Sequence, residues 1–95
     1  MSVEYGAVIV LGLPYHELEN PKKVVGLVYE DELSRVAPYY DADAEDCTYG
    51  VIIARSGDYS WKELELSAVE IAKAHERFTD LTGQVGRVFI SVNGH

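Results

Sequence analysis

From Val3 to Leu11 the chain is a nearly unbroken run of apolar side chains, rich in β-branched residues. Such a run reads as a buried strand, and the fold must wrap a core around it. Gly12, Pro14, Asn20 and Pro21 punctuate the next stretch, so a turn or short irregular link is expected there. Val24 to Tyr29 reads as a second strand. Asp31 to Val36 reads as a short helix of a turn or two, ended by Pro38 because the residue before proline avoids α conformation. An acidic loop from Tyr39 to Asp46 then leads into a third strand, Tyr49 to Ala54.

The clearest helix runs from Ser60 to Thr82. Ser60 and Glu63 have capping-box spacing, in which hydroxyl and carboxylate satisfy each other's free amides. Trp61, Leu64, Ala68, Ile71, Ala72, His75 and Phe78 recur at steps of three or four and make one apolar stripe. Gly83 is placed to end the helix with positive φ. A last strand, Arg87 to Val92, alternates, with Val88, Ile90 and Val92 on one side and Phe89 and Ser91 on the other. A faint echo at a shift of 44 residues sets Tyr5-Gly6-Ala7-Val8-Ile9 against Tyr49-Gly50-Val51-Ile52-Ile53.

These elements predict an α+β fold: a two-layer sandwich in which the long C-terminal helix packs on a four-stranded sheet. The stretch from Tyr49 to Val92 resembles a βαβ unit. One helix covers only one face, whereas the first three strands are apolar on both. The other face therefore needs the Asp31–Tyr40 segment or a second copy, and a homodimer through the sheet is expected. Ninety-five residues suit a single domain, 1–95.

A net charge of −8 with only eight Lys and Arg argues against direct nucleic-acid binding, which sets cations against phosphates. Anionic membranes are disfavoured for the same reason. One cysteine, Cys47, makes no internal disulfide, and the N-terminal region has neither a basic leader nor an apolar run long enough to span a bilayer. A soluble cytoplasmic protein is expected.

The charge is concentrated. Between Glu30 and Asp46 seven acids face one base, Arg35, with Tyr29, Tyr39, Tyr40 and Tyr49 among or beside them. Crowded carboxylates repel unless water or a cationic partner offsets them, and tyrosine is enriched at interfaces. Tyr39, Tyr40, Asp41, Asp43, Glu45 and Asp46 are therefore the candidate partner-binding residues. The competing reading is a solvated loop that only keeps the protein soluble.

A second candidate is the turn from Arg55 to Ser60, between a strand end and a helix start, where backbone amides can hold an anion. Arg55, Ser56, Gly57 and Ser60 suit a phosphate or carboxylate, with Tyr15 or Tyr59 to stack on a base. Asp58 opposes an anion, and helix capping alone explains Ser60.

Other chemistry lacks an anchor. Asp41-Ala-Asp43-Ala-Glu45 opens like a calcium loop, but Asp46 stands where the turn needs glycine and Ile52 where the loop needs glutamate. His75 reads as a core histidine, His16 lacks an evident nucleophile, and His95 ends the chain. Cys47 between Asp46 and Thr48 is a poor nucleophile. Leu66, with Val69 at its margin, falls off the apolar stripe and is a minor contact point or an ordinary surface leucine.

No catalytic motif is present, and no cofactor or metal is called for. The expected function is that of a small acidic non-enzymatic interaction protein, an inhibitor, immunity protein or regulator. It would occlude a basic, nucleic-acid-binding type of site on a protein partner. The alternative is a nucleotide- or anion-binding module at the Arg55–Ser60 turn, and an enzyme using His16 or His75 ranks last.

Overall fold

The computed structural model describes residues 5–55 and 67–94. Along the chain they form β1 (Tyr5–Pro14), α1 (Pro21–Tyr29), β2 (Ser34–Val36), β3 (Thr48–Arg55), α2 (Ala68–Thr82) and β4 (Arg87–Gly94). The strands make one antiparallel sheet in the order β2-β3-β1-β4. Because β3 and β4 both run antiparallel to β1, they are parallel to each other with β1 between them. In the same way β1 and β2 are parallel across β3. The fold is thus two interleaved split β-α-β units, and the expected α+β sandwich is present. The sequence echo falls on the first strand of each unit.

β1 occupies the centre because it can be buried on both sides. Leu11 and Leu13 join Tyr49 of β3, Val24 of α1, and Ala74 and Phe78 of α2 in one core, so both helices cover the same face. Val10 lies in register with Ile52 and Phe89 on the opposite face and is itself fully buried. A bulge in β3 opposite Ile9 and Val10 marks where the β1–β3 ladder shifts register.

Three expectations are corrected. Val24–Tyr29 is not a strand but most of α1. The Asn20 side chain accepts the Lys23 amide at 3.2 Å and Pro21 opens the helix, so Asn-Pro is a helix start here and not a turn. Val24, Val25, Leu27 and Val28 then make the inward stripe. The short helix at Asp31–Val36 is instead a turn followed by β2. Asp31 takes φ 61°, and the amides of Glu32 and Leu33 both donate to the Leu27 carbonyl. Finally, α2 starts later than the expected helix. Ser67 is extended (φ −81°, ψ 145°) and its hydroxyl accepts the Glu70 amide at 3.1 Å, which makes it the N-cap. The anticipated Ser60–Glu63 capping box, Trp61 and Leu64 lie outside the described residues. The helix end is where expected, at Gly83 with φ 76°.

Among the described residues no helix is long and apolar enough to cross a membrane.

Candidate functional site

The acidic loop hangs between β2 and β3, and the buried start of β3 holds it from below. The Tyr49 hydroxyl donates to the Ala44 carbonyl at 2.9 Å, and the Cys47 thiol donates to the Asp43 carbonyl at 3.3 Å. Both residues are about 1 % exposed. A 3₁₀ turn at Ala44–Asp46 is closed by the Asp46 amide on the Asp43 carbonyl, and the Cys47 carbonyl accepts the Tyr15 amide. The Tyr15 ring lies 6.2 Å from that of Tyr49. Asp41 adopts φ 64°, a left-handed turn conformation that aspartate tolerates better than most residues. The loop therefore has a built shape.

Across its top, the Tyr39 hydroxyl donates to Asp46 Oδ2 at 2.9 Å. That bond and the Asp46 charge raise the Tyr39 pKa, because ionising the phenol would lose the first and oppose the second. Tyr39 consequently braces the loop by tying its start to Asp46. Tyr40 has no such partner among the described residues and is 85 % exposed. Asp41, Asp43, Glu45 and Asp46 are all exposed, and none of them makes an ion pair among the described residues, whose two salt bridges lie elsewhere. Burial pushes up the Cys47 thiol, against the pull of Arg35. At neutral pH it is a protonated packing group and not a nucleophile.

Arg55 lies at the far end of β3. It lines an open cleft of about 260 Å³ with Arg35, Ile52, Tyr39, Tyr40 and Asp41. Arg35 and Arg55 also border a second, larger hollow of about 400 Å³ beside Val28, Tyr29 and Asp31. The structure thus brings part of each candidate set to one surface: two guanidinium groups beside the tyrosines of the acidic loop. Arg35 is the residue that sequence reasoning overlooked as a site group. Its only signal was its isolation among seven acids. Ser56, Gly57, Tyr59 and Ser60 lie outside the described residues. Tyr15 sits beyond Pro14, which pairs with Thr48, whereas Arg55 pairs with Val8 at the other end of β1. At about 3.3 Å per residue the two are on the order of 20 Å apart along the sheet.

Among the described residues no three His, Cys, Asp or Glu side chains are grouped to hold a metal ion. His75 is half-buried on α2, and His16 packs edge-on against Tyr15 at 5.8 Å. Val69 is exposed near the start of α2, while Leu66 lies outside the described residues.

The fold and this surface define a small split β-α-β sandwich that presents a braced acid–tyrosine loop. The chain matches no protein-family model, and no curated protein or solved structure shows detectable similarity to it.

Proposed function

We propose that this is a non-enzymatic cytoplasmic interaction protein, an inhibitor or regulator that occludes a basic site on a protein partner. The observation that carries this reading is the loop itself. The loop bears four carboxylates without ion-pair partners among the described residues, its backbone is anchored at Asp43 and Ala44 by buried Cys47 and Tyr49, and an exposed tyrosine stands beside them. A floppy, merely solubilising loop has no need of such anchoring. A pre-shaped acidic surface loses little entropy on binding and steers a cationic partner through its field. Tyr40 supplies the aromatic anchor that enters the partner, and Tyr39 holds the Asp46 carboxylate in place. The partner's lysines and arginines would be those that otherwise meet phosphates, so occlusion blocks nucleic-acid binding without any chemistry.

A second reading draws on the pairing of Arg35 with Arg55 in one cleft with Tyr39 and Tyr40. This suits a small anion bearing a flat ring, such as a nucleotide, with the guanidinium groups on the anion and a phenol against the ring.

The test is capture of partners from lysate with the wild-type protein, with Asp41→Asn/Asp43→Asn/Glu45→Gln/Asp46→Asn, and with Tyr40→Ala. Each capture is run at low and high salt, and association is then measured with the recovered protein. The expected result is a basic partner that the fourfold variant fails to hold. Its association rate should fall steeply with salt, whereas Tyr40→Ala should mainly speed dissociation. Equal binding by wild type and the fourfold variant refutes the loop reading and leaves the arginine cleft as the site.

A further inference from the structure

We propose that β4 is a self-association edge. Two copies pair their β4 strands antiparallel about a two-fold axis at Ile90, joining two four-stranded sheets into one of eight. This inference is independent of the reading of the acidic loop.

The two edges of the sheet are treated differently by the sequence. β2, on one side, is three residues long, carries exposed Arg35 at its centre, and is followed shortly by Pro38. Short length, a charge and a nearby proline are the usual means of keeping an edge from pairing with another chain. β4, on the other side, is neither short nor followed by a proline, and its one charge sits at its first residue, Arg87. It is eight residues long, has β1 as its only strand neighbour among the described residues, and carries no charged residue after Arg87. Val88 and Ile90 stand opposite Leu11 and Ile9 of β1 and share their side of the sheet, yet they are 45 % and 70 % exposed. Val85, just before the strand, is also exposed.

The occupant that fits this edge is a second copy, because the strand is self-complementary about Ile90. Antiparallel pairing on that axis sets position 90 against 90, valine 88 against valine 92, Phe89 against Ser91, and Arg87 against Asn93. Ile90 meets its own copy at the axis, and no like charges are opposed along the strand. A chain of net charge −8 repels its copies over most of its surface. The stretch of β4 after Arg87 carries no charge and is where two copies can approach closely enough to exchange main-chain hydrogen bonds. Closed two-fold pairing also uses up the edge, so association stops at the dimer.

Sedimentation equilibrium over a concentration series should show a monomer–dimer equilibrium for the wild type. Ile90→Lys sets two ammonium groups against each other at the axis and should weaken the dimer at least about tenfold. Because Ile90 is exposed, the circular dichroism of that variant should be unchanged. Ile90→Cys should oxidise to a covalent dimer, since opposed residues in antiparallel pairs have Cα atoms about 4.5–5.5 Å apart, within disulfide reach. Val85→Cys, exposed but outside the strand, should not, and buried Cys47 does not compete. A wild type that stays monomeric at every concentration overturns the proposal. So does a dimer whose affinity Ile90→Lys leaves unchanged, which would assign association to another surface.

Discussion

Gly12 and Gly50 pair across the β1–β3 ladder at a separation that admits no side chain. A Cβ on Gly12 would lie 1.9 Å from the Tyr49 carbonyl oxygen, and one on Gly50 would lie 2.0 Å from that of Leu11. Both obstacles are backbone in the two central strands, so neither can swing aside. Gly12→Ala or Gly50→Ala should therefore destabilise the fold by about 3 kcal/mol or more, read from urea unfolding. Gly26, with open space around its Cα, is the control that should tolerate alanine. Cys47 and Tyr49 set a pH dependence at the same scale. Burial raises both above their ordinary values of 9.0 and 10.0. The folded protein then keeps protons that the unfolded chain releases above those values, so these groups contribute stability that is fully present below about pH 9 and is lost as pH rises further. The urea midpoint should be flat from about pH 7 to 9 on their account and fall beyond it. Tyr49→Phe, which has no phenol to ionise, should show a shallower alkaline fall, and an identical fall would remove Tyr49 from the account.

Elements differ in how far local sequence determines them. The end of α2 was legible because glycine at a positive-φ position has few other uses, and Gly83 donates its amide to the Thr79 carbonyl at 2.7 Å. β1 was legible because its apolar run is long, rich in β-branched residues and followed by Gly12 and Pro14. α1 was misread because Val24-Val25-Gly26-Leu27-Val28 has strand composition and only five or six residues on which to judge period. The deciding signal lay upstream, in the Asn20 cap and Pro21. β2 was misread for the reverse reason: Asp31–Val36 has helix-friendly charges, but Asp31 turns left-handed and Leu33 is drawn into the core. Part of the site was legible in the same way. Loop composition marked the acids, whereas Arg35 reaches the cleft only through β2–β3 pairing, a contact between residues far apart in sequence. The division of labour between Tyr39 and Tyr40, adjacent and identical, could not be read without the Asp46 hydrogen bond.

For the molecule as a whole, the placement of charge matters more than its sum. Against sixteen acids there are eight lysines and arginines. The two ion pairs among the described residues both tie peripheral segments together, Glu17 to Arg87 and Glu32 to Arg77. Arg87 also lies 5.3 Å over the Phe89 ring. The ion-paired cations are thus used away from the loop, Arg35 and Arg55 border it without an ion pair among the described residues, and the four carboxylates between Asp41 and Asp46 repel one another in the free protein. If that repulsion is retained for binding, the loop should cost stability until a partner is present. The variant with Asn or Gln at Asp41, Asp43, Glu45 and Asp46 should then unfold at a higher temperature than wild type in dilute buffer. The gap should shrink towards zero at about 1 M salt, where the screening length is only about 3 Å. Asp46→Asn keeps an acceptor for the Tyr39 hydroxyl, so the gain is not masked by loss of that bond. Calorimetry of the two proteins across salt concentration makes the comparison. A variant no more stable than wild type at low salt would mean that the loop's charges are already well solvated and carry no stored repulsion for a cationic partner to relieve.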